Sequence, residues 1–355
     1  MKIQAKKQVI ESILINLQPF LEKKDATQIT SHILFTTDND KCIVKATDNE
    51  IGLKIITEHI EILEGGSFTA NGKKLLDIIR ILKDDDISLE IVEDNLVIKQ
   101  KHSKFKLPTF DHNTYPTFPT IEDKPKISLD SMSLIKNLKK ISPAIDNNNP
   151  KYELNGALIN ISSNSTDLVG TDTRRLAVAT IETQNEQNLE IIVPKKAILE
   201  IQKLFLDQID IYYDETNLII KNDNYYFYTR LINGKFPDYK RIIPQSTKHS
   251  IKLPKKEMIE SIKMITTISQ DIKLTMLSNI IVFNSLSADN VEAKTEIEIE
   301  TGLQGEYQLA INSKYLLDFI AQVDSNEFYL EFNETNLPFI VRDNNFITII
   351  MPIIA

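Results

Sequence analysis

Along this chain, short runs of alternating apolar and polar positions repeatedly give way to apolar positions at helical spacing, i, i+3, i+4. At Lys2–Ile13, Lys126–Ile135 and Ser250–Ile262 a short alternating strand turns directly into an amphipathic helix. At Ser67–Ile79, Ile191–Leu199 and Gln308–Leu317 a second strand feeds a second helix. A turn followed by a strand then appears at Asn95–Ile98, Asn217–Ile220 and Asn336–Phe339. Pro254 sits where a first-turn proline is tolerated, and Pro338 marks an edge or irregular position in the last strand.

The three elements recur in the same order at a period of about 117 to 124 residues. So long a period describes tandem domains rather than a solenoid of short repeats. Polar, turn-prone segments near Asp123-Lys124-Pro125 and Gln245-Ser246-Thr247 set the expected domains at 1–123, 124–247 and 248–355. Each is predicted to be α+β, with two helices and antiparallel sheets built from hairpins. The helices are expected at 6–21, 71–83, 130–142, 194–206, 254–269 and 312–323.

Charge sharpens this picture. The whole chain has a formal net charge of −9, which by itself argues against tight electrostatic binding to nucleic acid. The six helical segments nevertheless hold about sixteen Lys or Arg against about seven Asp or Glu. Lys6, Lys7, Lys73, Lys74, Arg80, Lys136, Lys139, Lys140, Lys195, Lys196, Lys203, Lys255, Lys256 and Lys263 are among them. A solvated helix face accounts for any single lysine pair. Recurrence of the pair at four helix starts points instead to one positive layer facing phosphate, aided by the partial positive charge of helix N-termini. No base-reading motif accompanies it, so the attraction is sequence-independent.

Enzyme signatures are missing. There is no P-loop, no GxGxxG and no GxSxG elbow, and the five histidines fall in no metal-ligand spacing. Asp84-Asp85-Asp86 reads as a solvated turn ahead of a cation site. Cys42 is the only cysteine, which excludes an intramolecular disulfide and a cysteine-based metal site. No apolar run is long enough for a membrane span and no signal-peptide pattern opens the chain. A cytoplasmic protein without cofactor is therefore expected.

Three segments carry a resemblance. Tyr152–Leu158 followed by Leu168–Val178 is similar to a YLNG…ATDGHRLA region, Gly234–Pro244 to a G-[RK]-[FY]-P-D-Y-x-[RK]-[VI]-[IL]-P run, and Ile349–Ile353 to a VMPM ending. On these the chain resembles, along essentially its whole length, the β subunit of bacterial DNA polymerase III, the β sliding clamps. The resemblance implies a DNA-clamp fold of three similar domains, two chains joining head to tail into a six-domain ring around duplex DNA. It implies no catalysis and no cofactor. The implied partners are the polymerase III catalytic subunit, the clamp loader and repair proteins, which bring short QLxLF-like peptides to a hydrophobic cleft between the second and third domains.

Carried over by motif, that cleft comprises Leu154, Thr171, Arg174, Arg175, Leu176, Pro237, Arg241, Ile242, Tyr315, Pro338, Ile349, Ile350, Met351 and Pro352. Phe105 and Leu107, with Thr267 and Ile268, correspond to the dimer contact. The chain departs from the family pattern at several places. Thr173 stands for the usual Gly, Arg174 for His and Glu153 for an aromatic residue. Ala26–Leu34 replaces a proline-rich segment, and the chain ends Ile353-Ile354-Ala355 without the usual terminal Arg-Leu. These changes bear on peptide preference. A three-domain protein-binding scaffold that never encloses DNA is the alternative reading.

Overall fold

A computed structural model describes residues 1–25, 27–185, 188–287 and 291–354. Ala26 and Ala355, which stand in two of the segments quoted above, lie outside the described residues. Among the described residues six α-helices form, α1 Lys7–Leu17, α2 Gly72–Ile81, α3 Ser131–Ile141, α4 Lys195–Leu204, α5 Lys255–Thr266 and α6 Ser313–Ile320. Each is shorter than its expected range. After α1 and α3, Pro19 and Pro143 lack the amide hydrogen a further α-helical turn needs, and the chain tightens into 3-10 turns at Gln18–Phe20 and Ser142–Ala144. Three N-termini are set by side-chain caps. Asn71, Asp130 and Asn312 accept hydrogen bonds from the amides of Lys74, Ser133 and Lys314.

The chain divides into two compact units, residues 1–128 with 203–231, and residues 129–202 with 232–355. The middle third is split between them, because its two strand groups pair with different neighbours. In the first unit one sheet has five strands in the order Glu61–Glu64, Lys2–Lys6, Asp86–Val92, Asn95–Gln100, Ser103–Pro108. The other has eight, in the order Lys126–Ile127, Asp210–Tyr213, Asn217–Lys221, Tyr225–Arg230, Ile51–Thr57, Lys41–Thr47, His32–Asp38, Ser67–Asn71. In the second unit the eight-stranded order is Leu189–Pro194, Gly156–Ile161, Ser165–Thr171, Arg175–Glu182, Phe346–Ile350, Phe339–Asp343, Glu327–Phe332, His249–Pro254. A four-stranded sheet there runs Lys294–Glu298, Ile280–Ser285, Asp271–Met276, Tyr307–Asn312.

Each eight-stranded sheet is thus two groups of strands joined at one antiparallel seam. In the first unit the seam sets Tyr228 opposite Gly52, and in the second it sets Ile349 opposite Leu176. Apolar side chains under the seams hold the sheets to their helices. Phe227, fully buried, meets Phe20 and Phe205 edge-on, and Phe346 stacks on Phe319 of α6 with centroids 4.9 Å apart.

A buried histidine gives this fold a pH dependence. His32 is 3% exposed, stacks on Phe110 and has its Nδ1 3.3 Å from the Thr69 hydroxyl. Burial first, and the Lys74 charge second, pull its pKa down to about 4 from the ordinary histidine value of 6.5. The unfolded chain therefore binds the proton more readily. The stabilisation is whole above the unfolded pKa and is lost as pH falls toward 4. At pH 5 the loss should be about 2 kcal/mol. Denaturant midpoints measured at pH 7.5 and pH 5 should show it, and His32→Phe should remove that part of the pH slope.

Candidate functional site

The site begins with the tight turn between the strands Ser165–Thr171 and Arg175–Glu182. The Thr171 hydroxyl donates to the Arg175 carbonyl at 2.7 Å and accepts the Thr173 amide at 3.1 Å. Asp172 Oδ1 accepts the amides of Arg174 and Arg175, each at 3.0 Å. This geometry drives Thr173 to φ 71°, a region that a β-branched residue occupies only under strain. Threonine in place of the family glycine thus keeps the turn at an energetic cost. Beside it, the Met351 amide donates to the Arg174 carbonyl at 2.9 Å, so the last strand leaves its sheet against the turn.

Leu154, Leu176 and Ile349 lie in one buried apolar cluster with Phe236 and Tyr239. Outside this cluster Pro237, Arg241, Ile242 and Met351 are exposed, Ile242 at 48% and Met351 at 41%. Pro338 and Pro352 are half-buried. Aliphatic and methionine surface of this kind adapts to an apolar anchor, and a surrounding apolar rim excludes water. Arg241 is tied to Asp238 at 2.8 Å, while Arg174 projects without a carboxylate partner among the described residues.

The segment Gly234–Pro244, which carries Pro237, Arg241 and Ile242, is anchored from beneath. Tyr239 Oη donates to Asp167 Oδ2 at 2.6 Å and accepts from Asn160 Nδ2 at 3.2 Å. The Thr180 hydroxyl holds the other Asp167 oxygen at 2.8 Å. Burial, and then the Asp167 carboxylate, raise the Tyr239 pKa, so the phenol keeps the proton it donates. The sequence reading missed Asp167, Asn160 and Thr180. They occupy three adjacent strands, and only the sheet register brings them to one point.

Two cleft expectations are corrected. Arg175 is 6% exposed and satisfied internally. It donates to Asp172 at 3.0 Å, Asp318 at 2.8 Å and the Pro143 carbonyl at 2.5 Å, and lies 4.6 Å from the Tyr315 ring centroid. Its charge ties the turn to α6. Tyr315 is half-buried beneath it. Ile350 is 0% exposed, because strand alternation turns it to the face opposite Ile349.

The cationic layer is also revised. Lys140, 4% exposed, is buried against Asp324 at 2.9 Å, which Lys136 shares at 3.0 Å. Lys7 donates to the Arg80 and Leu82 carbonyls at 2.9 and 2.7 Å, and Lys255 to the Val323 carbonyl at 2.6 Å. Both satisfy the carbonyl end of the second helix in their repeat. Lys195 donates to the Ile145 carbonyl at 2.6 Å. These four serve the fold and leave the phosphate-facing set. Lys6 ends a strand and pairs with Asp86 at 2.9 Å. Arg80 lies 3.9 Å from Glu11, and Lys256 4.0 Å from Glu260. Lys73, Lys74, Lys139, Lys196, Lys203 and Lys263 are exposed.

At the expected dimer contact Phe105 is half-buried and Leu107 is 7% exposed, on the core side of its sheet. Thr267 is exposed and Ile268 is 41% exposed. Sequence reasoning passed over Ile81 and Met264, at 72% and 59% exposure the more open apolar side chains near the ends of α2 and α5. Cys42 is fully buried, which pushes its thiol up to about 12. Asp84 accepts from Gln8, Asp85 pairs with Lys101 and Asp86 with Lys6. Among the described residues no group of three or more His, Cys, Asp or Glu is placed to hold a metal ion, and no helix is long and apolar enough to cross a membrane.

Thr173→Gly should relieve the turn and raise unfolding stability by about 1 kcal/mol, read from the denaturant midpoint. Tyr239→Phe should free the loop from Asp167. Amide exchange across Gly234–Pro244 should accelerate several-fold, with the strands of the sheet itself unchanged.

Comparison with known proteins agrees over the whole chain. Family models of the DNA polymerase III beta subunit match in order, the N-terminal domain at residues 1–119, the central domain at 128–238 and the C-terminal domain at 240–353. The beta sliding clamp of Helicobacter pylori strain J99 is 40% identical over 352 residues, covering 97% of this chain and 94% of the relative. The crystal structure of the Helicobacter pylori beta clamp bound to a DNA ligase peptide superposes with a TM-score of 0.94 at 39% identity, each chain covered in full. The DNA polymerase III subunit beta of Pseudomonas aeruginosa shares the fold with a TM-score of 0.90 at 22% identity, again over both full chains. With three clamp domains in tandem and relatives of this identity along nearly its entire length, the chain belongs to the DNA polymerase III beta subunit family, the beta sliding clamps.

Proposed function

We propose that two copies of this chain close head to tail into a ring around duplex DNA, and that the Ile242–Met351 cleft holds polymerase, clamp-loader and repair proteins on it by short apolar peptides. The chain does no chemistry of its own and acts in the cytoplasm as the accessory subunit of DNA polymerase III. One observation carries the ring. Both internal seams join the third strand of one meander to the last strand of the next, Ile51–Thr57 to Tyr225–Arg230 and Arg175–Glu182 to Phe346–Ile350. The corresponding strands Lys294–Glu298 and Ser103–Pro108 are left at sheet edges. An unpaired edge is a template for another chain.

The two edges are chemically unlike, which favours pairing between them over pairing of either with itself. Lys104 and Lys106 are exposed on one, Glu296 and Glu298 on the other. Exposed Ile81 and the Met264–Ile268 end of α5 supply apolar surface to the same contact. Lys73, Lys74, Lys139, Lys196, Lys203 and Lys263, with Arg80 and Lys256, form the phosphate-facing set. The DNA ligase peptide bound by the Helicobacter pylori relative supports binding of partners through peptides. Tethering through such a peptide acts as effective concentration, raising apparent affinity by about 10² to 10⁴ without new contacts.

Retention on DNA tests this directly. After loading by the clamp loader, the protein should stay on nicked circular duplex at high salt, which removes charge-based binding, and should leave on linearisation. Equal loss from both forms would favour the non-encircling scaffold. Lys104→Glu with Lys106→Glu should weaken the dimer about tenfold in sedimentation equilibrium, and a partner chain carrying Glu296→Lys with Glu298→Lys should restore both dimer and retention.

A further inference from the structure

The seam in the first unit repeats the construction of the cleft bond for bond. The Thr47 hydroxyl hydrogen-bonds the Ile51 carbonyl at 2.9 Å and accepts the Asn49 amide at 2.9 Å, as Thr171 does with Arg175 and Thr173. Asp48 accepts the amides of Glu50 and Ile51, both at 3.0 Å, as Asp172 does those of Arg174 and Arg175. Asn49 has φ 73° where Thr173 has 71°. The Arg230 amide donates to the Glu50 carbonyl at 2.7 Å, the counterpart of Met351 to Arg174 at 2.9 Å. The registers agree as well, Tyr228 opposite Gly52 and Ile349 opposite Leu176.

The two seams part company in the side chains at this last pair. Tyr228, 4% exposed, lies so close over Gly52 that any Cβ there would overlap its ring. Its hydroxyl is 2.7 Å from the Thr47 hydroxyl, and Phe118 packs edge-on against it at 4.9 Å. An aromatic ring therefore fills the space above Thr47 and residue 52. At the other seam the aliphatic Ile349 stands opposite Leu176, Thr171 is half-buried where Thr47 is fully buried, and the apolar side chains of Ile242 and Met351 stay exposed.

We propose that the Gly52–Tyr228 seam is a second peptide cleft plugged by its own tyrosine. The Tyr228 ring stands where the apolar anchor of a partner peptide would stand, and Gly52 is the residue that admits it. Each chain consequently offers one site for an apolar-anchored peptide, although its backbone builds two. The inference rests on the reading of the Ile242–Met351 cleft as a peptide site.

Isothermal titration of the full-length protein with a QLxLF-type peptide tests it. The wild-type chain should bind one peptide and Tyr228→Phe, which keeps the ring, should also bind one. Tyr228→Ala should bind two, the second with a Kd no more than about a hundredfold weaker. With Ile242→Glu and Met351→Glu blocking the open cleft, binding should vanish, and Tyr228→Ala in that background should restore one site per chain. If the alanine variant melts too low to titrate, Tyr228→Ile, which copies the residue of the open seam, carries the same expectation. A stoichiometry of one in the folded variants overturns the plug. Absence of binding to the wild-type chain overturns the cleft reading itself, and the plug with it.

Discussion

An extended strand with a bare edge carries a row of amide and carbonyl groups that must find partners, and this chain is organised by how it meets that demand. The seams at Gly52–Tyr228 and Leu176–Ile349 are continuous antiparallel ladders between repeats. Because a ladder fixes register to the residue, it also fixes everything hung on it. The Arg174 carbonyl meets the Met351 amide only because Arg175 is already opposite Ile350. The exposed rim and the buried apolar cluster follow from that alignment rather than from any side chain acting alone. A one-residue slip would turn Ile349 to the wrong face and dissolve the site.

Charge is divided between two tasks. Some cations hold the fold: Lys7 and Lys255 close the carbonyl ends of α2 and of the chain after α6, and Arg175 gathers Asp172, Asp318 and the Pro143 carbonyl. Others, such as Lys73, Lys139 and Lys263, extend into solvent. Removing a buried cation would leave its acceptors or carboxylates unsatisfied, at a cost of several kcal/mol for an internal ion pair. Removing an exposed one would leave the fold almost untouched. A cation in this chain therefore carries different consequences according to whether it meets protein oxygens or solvent.

The periodicity of the sequence was enough to find the repeats and all six helices, because amphipathic spacing and caps such as Asn71 and Asp130 are local signals. The segment Gly234–Pro244 was equally legible as a motif. What could not be read was which way a side chain turns when its partner is remote in sequence. Lys7 meets a carbonyl 73 residues away, and Arg175 a carboxylate 143 residues away. The Asp167–Tyr239 anchor depends on sheet register, which no short window contains. Ile350 misled for a simpler reason: a motif names consecutive residues, whereas a strand sends neighbours to opposite faces.

The lysines withdrawn to helix ends bear on motion as much as on architecture. A cation that grips a phosphate must release it before a ring can advance along the duplex, so every such grip adds roughness to the path. Lys7, Lys140, Lys195 and Lys255 are held on protein oxygens and make no such grip. On the proposed ring, the exposed cations that remain would exchange phosphates easily, as sliding on DNA requires. Such a lining would behave as a lubricated bearing, in which low friction comes from charges the fold has taken out of circulation.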